Sequence, residues 1–321
     1  MKILITGGAG FIGSHLSEKY LESGNDVCVI DDLSTGSVDN IKHLEEDPRF
    51  KKRFFVVNGS ILDEKTMEGL IKKCDLVIHL AAAVGVKTVI DHPIESINTN
   101  IEGTAVVLRL CNKLKKRVLI TSSSEVYGKR TTTPFVETDD VILGSPYNLR
   151  WNYAAAKLVD ELTALAYYKT AGLQVVVVRL FNTVGPRQTG RYGMVIPTFV
   201  KQALRNEPLT VHGNGKQTRT FTHVDEVCYC MIKLMETKDA FGEIVNIGGV
   251  EEISIKDLAE RVIKRTGSRS KIKFDTNFDD MERRVPSTEK LKSLIGVAPK
   301  KKVDEILDDV IRDIKTDKTR V

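Results

Sequence analysis

The chain has 321 residues, 41% of them hydrophobic and 28% charged, which is enough apolar material for one large domain or two ordinary ones. It contains no apolar run of the ~18 residues that a membrane span needs, and Met1-Lys2 leads straight into a strand pattern, so a soluble, cytoplasmic protein is expected. A formal charge of +5 is modest, and the basic runs Lys113–Arg117 and Lys300–Lys302 lack interleaved aromatics, which argues for solvated faces and against nucleic acid as a partner.

The first predicted element is a strand at Lys2–Thr6, short, apolar and rich in β-branched residues, stopped by Gly7-Gly-Ala-Gly-Phe-Ile-Gly13. Phe11, Ile12, Leu16 and Leu21 then recur at helical spacing until Gly24, and Asp26–Ile30 reads as a second strand closed by Asp31-Asp32. Gly7 makes the turn off the strand, Gly10 lets backbone approach a pyrophosphate, and Gly13 lets helix and sheet pack closely. The pyrophosphate would rest on the unpaired N–H groups that open the helix. Asp31 can accept hydrogen bonds from an adenosine ribose. It would repel a 2′-phosphate, and Asp31–Ser37 offers no arginine to receive one, so the expected cofactor is NAD.

A third strand follows at Phe54–Val57 and a fourth at Leu76–Leu80, which runs into the small residues Ala81–Val84 and Gly85. Glu95–Leu114 is a predicted helix, Arg117–Ile120 a fifth strand, Asn152–Thr170 a long helix and Gln174–Leu180 a sixth strand. This alternation predicts an α/β protein with a Rossmann-type doubly wound parallel sheet. Ligands of such sheets lie at the carboxyl ends of the strands, which brings the glycine loop, Ala81–Gly85 and Thr121–Glu125 to one crevice. Past Phe181 the alternation weakens. The predicted division is therefore 1–180 for a cofactor-binding domain and 181–321 for a smaller α/β lobe, with a strand near 243–248 returning to the first sheet.

Tyr153 and Lys157 sit at i, i+4 on the long predicted helix, on one face and one turn apart. A nearby ammonium, helped by an oxidised nicotinamide, would lower the phenol pKa from about 10 and let it take a hydroxyl proton. Tyr147 is the other tyrosine in reach, but its fourth residue on is Trp151. No metal site is expected, because the six histidines are scattered and Cys228 and Cys230 are two apart in a predicted helix. Five cysteines, an odd number without framework spacing, fit a reducing compartment.

Thr6–Gly13, His79-Leu-Ala-Ala82, Ser122-Ser-Ser-Glu-Val-Tyr-Gly128, Tyr153…Lys157 and Arg179-Leu-Phe-Asn182 together resemble the extended short-chain dehydrogenase/reductase superfamily, and within it the nucleotide-sugar epimerases, dehydratases and decarboxylases. The resemblance runs from residue 1 to about residue 296. It implies tightly held NAD, a C-terminal lobe that grips a nucleoside-diphosphate sugar, oxidation of the sugar at C4, and a homodimer. It implies Ser123 as the triad hydroxyl, Tyr153 as the base and Lys157 as its electrostatic partner. Gly7, Gly10, Phe11, Ile12, Gly13, Asp31, Leu80, Ala81 and Ala82 would contact the cofactor, as would Ser60 and Ile61, although the family usually has Gly-Asp where this chain has Gly59-Ser60. Asn182 and Arg219 match positions that hold the diphosphate.

The residues after Ser123 separate the subclasses. Ser124-Glu125 resembles the UDP-glucuronate decarboxylases and, less closely, the GDP-mannose dehydratases, whereas 4,6-dehydratases of dTDP-sugars carry Asp-Glu and simple 4-epimerases usually carry no carboxylate. A serine hydroxyl is a poor general acid, so loss of water is disfavoured relative to loss of carbon dioxide. Arg283-Arg284-Val-Pro286 resembles the Arg-x-Pro of the decarboxylases and puts Arg284 at their catalytic arginine. Arg283 could be the productive residue instead, or both could bind diphosphate. A UDP-glucuronate decarboxylase is the first expectation, a UDP-sugar 4-epimerase the second and a dehydratase the third, with an inactive NAD-binding scaffold as the reading of another class.

Overall fold

The computed structural model describes residues 1–190, 193–275 and 281–316. In chain order it runs β1 (Lys2–Thr6), α1 (Phe11–Glu22), β2 (Asp26–Asp31), α2 (Lys42–Glu46), β3 (Phe54–Asn58), α3 (Glu64–Lys73), β4 (Leu76–His79), α4 (Val86–Asp91), α5 (Pro93–Lys113), β5 (Arg117–Ser123), α6 (Trp151–Ala171) and β6 (Val175–Leu180). There follow β7 (Thr183–Val184), α7 (Val195–Leu204), β8 (Leu209–His212), β9 (Thr218–Thr220), β10 (Thr222–His223), α8 (Val224–Glu236) and β11 (Ile244–Ile247). The last elements are β12 (Glu252–Ser254), α9 (Ile255–Thr266), β13 (Ile272–Asp275), β14 (Arg283–Arg284), α10 (Glu289–Ile295) and α11 (Val303–Thr316).

Seven strands form one sheet in the order β11-β6-β5-β4-β1-β2-β3. The pairings β1/β2, β2/β3, β1/β4 and β4/β5 are all parallel. This is the Rossmann arrangement that alternating strands and helices predict, and it sets the carboxyl ends of β1, β4 and β5 side by side. The chain divides into two compact units. The first comprises Met1–Val126, Leu143–Arg179 and Cys228–Val245, and the second Tyr127–Ile142, Leu180–Val227 and Asn246–Val321.

In the first unit the central strands are buried on both faces, as parallel strands are, while the edge strand β3 is partly exposed, and Leu4, Ile30, Val77, Val118, Ile120 and Val177 share a core with Val107 and Cys111 of α5. The helix ends follow local rules. Asp63 caps α3 by accepting the Thr66 N–H, and Gly172 ends α6 in the left-handed region at φ 68°. Glu161 on α6 is buried and accepts three hydrogen bonds from two side chains: the Ser122 hydroxyl at 2.6 Å, and Arg179 Nε and Nη2 at 2.8 and 2.7 Å. This cluster bolts α6 to β5 and β6.

In the second unit, Phe199, Val200, Leu209, Leu258, Val262, Ile306 and Val310 make a separate core from α7, β8, α9 and α11. The early segment Tyr127–Ile142 belongs here for a polar reason. Asn246 is fully buried, and its side chain accepts the Tyr127 hydroxyl at 2.9 Å and donates to the Phe135 carbonyl at 3.0 Å, while its N–H donates to Glu137 at 2.8 Å. Tyr127 also stacks on Phe135, with ring centroids 4.6 Å apart. No helix among the described residues is long and apolar enough to cross a membrane.

Replacing Arg179 with Met would leave the Glu161 carboxylate buried without its bidentate partner, a defect that costs about 3–5 kcal/mol. Urea unfolding of the purified protein is expected to show that loss for Arg179→Met.

Candidate active site

The cofactor end is built from β1, the glycine loop and α1. No side chain caps α1, and its first turn carries no acidic residue, so its opening N–H groups and its positive dipole end suit an anion. Gly13 is obligatory because a Cβ there would lie 2.2 Å from the Gly7 carbonyl oxygen. Asp31 ends β2 and accepts the Ala9 N–H at 2.9 Å on Oδ2 and the Leu33 N–H at 2.9 Å on Oδ1. It thereby ties the glycine loop to the strand. Burial pushes its carboxyl above the ordinary value, and these N–H bonds oppose that rise. A carboxylate offers about four acceptor sites, so the two N–H bonds leave capacity for a ribose hydroxyl.

The loop after β4, which begins with Leu80, Ala81 and Ala82, is pinned from both sides. Ala81 N–H donates to Thr6 Oγ1 at 3.2 Å, and Asn100 of α5 clamps Ala83 by accepting its N–H at 2.8 Å and donating to its carbonyl at 3.2 Å. Beyond β3, Ser60 accepts the Leu62 N–H at 3.2 Å. Ile61 is buried against α5, where Gly103 leaves it room. A glycine cradle at an uncapped helix, a fixed small-residue loop and a strand-end acid fit a dinucleotide with an unphosphorylated 2′-hydroxyl.

The catalytic candidates lie within the same unit. Ser123 closes β5, and its hydroxyl accepts the Glu125 N–H at 3.2 Å and hydrogen-bonds the Tyr153 phenol. Ser124 is buried in the short helical turn that follows. Lys157 is also buried, and its Nζ donates to Asp160 Oδ2 at 3.2 Å. Asp160 also takes a hydrogen bond from Thr104 of α5. The Thr104 hydroxyl lies 3.1 Å from His79 Nε2, and His79 Nδ1 lies 2.8 Å from Thr6 Oγ1. Burial, with the Lys157 charge second, pushes the His79 pKa down to about 3, so this imidazole is neutral at physiological pH.

The surroundings of the tyrosine favour its neutral form. Burial pushes the Tyr153 phenol above its ordinary value, the Glu125 carboxylate adds to the rise, and only the Ser123 hydrogen bond opposes it. The Asp160 carboxylate adds to the rise as well. Tyr147, the rejected alternative, is 98% exposed.

Sequence reasoning missed Arg150. Its Nη2 lies 3.4 Å from Glu125 Oε2, and its side chain is only 10% exposed. No spacing rule links residues 125 and 150; the contact exists because α6 starts beside the end of β5.

The diphosphate candidates lie in the second unit. Asn182 donates from Nδ2 to the Thr220 carbonyl at 2.9 Å and accepts the Thr222 N–H on its own carbonyl at 3.1 Å. Arg219 on β9 is registered directly opposite Arg284 on β14 in a three-stranded sheet ordered β12-β9-β14. Registered neighbours share a face, and both guanidiniums are buried. Arg283 points the other way and makes a bidentate pair with Glu252 at 2.9 and 2.8 Å. The two consecutive arginines are thus separated by the period of the strand.

The family model described as GDP-mannose 4,6 dehydratase matches residues 4–310. The chain belongs to this family. It is an NAD-dependent enzyme that modifies a nucleoside-diphosphate sugar, within the extended short-chain dehydrogenase/reductase superfamily. Among its relatives, the UDP-N-acetyl-alpha-D-glucosaminuronate decarboxylase of Bacillus cytotoxicus is 40% identical, over 98% of this chain and 99% of that protein. UDP-glucuronic acid decarboxylase 4 of Arabidopsis thaliana is 35% identical, over 98% of this chain and 69% of that one. Among solved structures, the UDP-glucuronic acid 4-epimerase of Bacillus cereus, in complex with UDP-glucuronic acid and NAD, matches with a TM-score of 0.89 and 31% identity, over 98% of this chain and 99% of that one.

Removing the Asp31 carboxylate takes away the group that would repel a 2′-phosphate. Calorimetric titration of cofactor-free protein is expected to show that Asp31→Ser narrows the preference for NAD over NADP by about tenfold or more. Equal affinities for the two cofactors in the unsubstituted protein would contradict the role given to this residue.

Proposed function

We propose that this enzyme decarboxylates a UDP-uronate, with UDP-glucuronate as the first substrate to test. The observation that carries the reading is the Glu125 carboxylate, held by its own N–H on Ser123 and acting electrostatically on Tyr153, directly after a Ser124 that has no acidic proton to give. A carboxylate beside the C4-oxidising group has work at C5, whereas simple 4-epimerisation leaves it idle. The decarboxylases among the relatives support the reading.

In this mechanism Tyr153 takes the proton of the 4-hydroxyl, Ser123 steadies the same oxygen, and Lys157 stabilises the phenolate and the cofactor ribose. Bound NAD supplies the acceptor and later the donor of the C4 hydrogen, so there is no net redox. The 4-ketone makes the sugar carboxylate a β-keto acid, whose C5–C6 bond breaks to release carbon dioxide. Glu125 delivers one solvent proton to C5, and Tyr153 returns its proton to O4. Arg219 and Arg284, registered on one buried face, form a dication suited to the diphosphate, and Asn182 contributes beside them. Arg283, committed to Glu252, is left out of this step.

A UDP-glucuronate 4-epimerase is the second reading, favoured by the Bacillus cereus structure. It would stop at the ketone, turn the sugar and restore C4 on the other face. Dehydration is disfavoured by Ser124, and an inactive scaffold by the intact Ser123, Tyr153 and Lys157.

We also propose a homodimer built on α5 and α6, which pack together and leave Ile94, Ile97, Val159 and Leu162 exposed. The five free cysteines support a reducing, cytoplasmic setting.

Two measurements check these readings. In deuterated water without added NAD, UDP-glucuronate should yield carbon dioxide and a UDP-pentose with deuterium at C5. Glu125→Gln should slow this roughly 10²–10⁴-fold, and Tyr153→Phe should abolish it while NAD stays bound. An isomeric UDP-uronate without deuterium at C5, formed equally well by Glu125→Gln, would establish the epimerase instead. Separately, Leu162→Glu should halve the mass seen by sedimentation; a wild-type monomer would refute the dimer.

A further inference from the structure

Arg150 is a built feature of the first unit and not a surface arginine that has folded inward. Its N–H donates to Asn148 Oδ1 at 3.2 Å, and its guanidinium lies 4.9 Å from the centroid of the Trp151 ring. Trp151 is itself 7% exposed and occupies space that only a glycine at 144 leaves open, since a Cβ there would lie 2.0 Å from the indole nitrogen. Gly144, Trp151 and Asn148 therefore hold a charged side chain, 90% withdrawn from solvent, against Glu125 at 3.4 Å. Withdrawing a guanidinium costs free energy unless its charge is used. An Arg–Glu distance of 3.4 Å is long for a pair optimised for stability alone.

The chemistry at this spot explains the expense. A uronate brings its own carboxylate to C5, where Glu125 works, and two carboxylates at one place repel. Lys157, the other cation of the cluster, is committed to Asp160. Arg150 cancels the Glu125 charge, so that an incoming carboxylate meets a neutral pair instead of an anion.

We infer that Arg150 determines specificity for nucleotide sugars whose C5 carries a carboxylate, by neutralising the Glu125 charge that would otherwise repel the substrate anion. The inference rests on the uronate part of the functional reading, which the decarboxylase and epimerase alternatives share. A neutral hexose gains nothing from this guanidinium, and the nucleotide gains nothing either. The residue is therefore a specificity determinant and acts beside the proton-transfer groups.

The test is calorimetric binding of UDP-glucuronate, UDP-glucose and UDP to the NAD-loaded protein, for wild type, Arg150→Met, Arg150→Lys and the double variant Arg150→Met/Glu125→Gln. Wild type should prefer UDP-glucuronate over UDP-glucose. Arg150→Met should weaken UDP-glucuronate roughly 10–100-fold and leave UDP-glucose and UDP as before. Arg150→Lys should recover most of the loss, and the double variant part of it, because the repelling carboxylate is gone. Equal weakening of all three ligands would mean that Arg150 only supports Trp151, and unchanged binding of all three would mean that it does nothing; either outcome overturns the inference while the uronate reading stands. A wild type without preference for UDP-glucuronate, which also neither decarboxylates nor epimerises it, would overturn the uronate reading and this inference with it.

Discussion

Lys157 is an ammonium buried in the middle of a parallel α/β unit, and the surrounding polar groups are arranged by that one charge. It needs an anion, and Asp160 provides one from the next turn of the same helix. Asp160 in turn takes the Thr104 hydroxyl from α5, and Thr104 meets His79 from β4, which meets Thr6 from β1. Burial, and secondarily the Lys157 charge, hold His79 neutral, and it serves as a spacer between two threonine hydroxyls. The chain of contacts fixes α6 relative to the strand ends that carry the glycine loop and Ser123. The register of the catalytic helix is therefore set by buried polar contacts as well as by apolar packing, and the Glu161 cluster one residue further along repeats the device toward β5 and β6.

The protein's own surroundings push the Tyr153 phenol above its ordinary value. Burial and Glu125 both favour the neutral phenol. The Ser123 hydrogen bond opposes them, and the positive charge of an oxidised nicotinamide would favour the phenolate further, which would couple the tyrosine's basicity to the presence of oxidised cofactor. Glu125 carries two consequences at once: it can move a proton, and it repels every other anion nearby. Arg150 answers the second, and the tryptophan and glycine that support it show how much local structure that answer takes.

In the second unit the sorting of charge is done by a strand of two residues. β14 places Arg283 and Arg284 on opposite faces, one with Glu252 at the surface and the other beside Arg219. Thr218, Glu252 and Arg283 share the exposed face, and Arg219, Arg284 and Ile253 the buried one. Two adjacent arginines with the same chemistry thus acquire different duties from pleat geometry.

Much of this was determined by sequence alone, wherever the determinant is local. The glycine loop, the strand-end Asp31, the alternation of strands with helices and the i, i+4 pairing of Tyr153 with Lys157 depend on residues close in the chain and on fixed periods of helix and strand. The rest depends on which strand ends and helix starts become neighbours. Arg150 meets Glu125 because β5 and α6 adjoin, and no spacing encodes that. Tyr127–Ile142 joins the second unit because a distant Asn246 binds its side chains and backbone. Arg284 lies beside Arg219, and Arg283 away from it, because β14 pairs with β9 in one register and not the other. The Tyr153 phenol answers to burial and to every charge in range, and those are properties of the assembled fold.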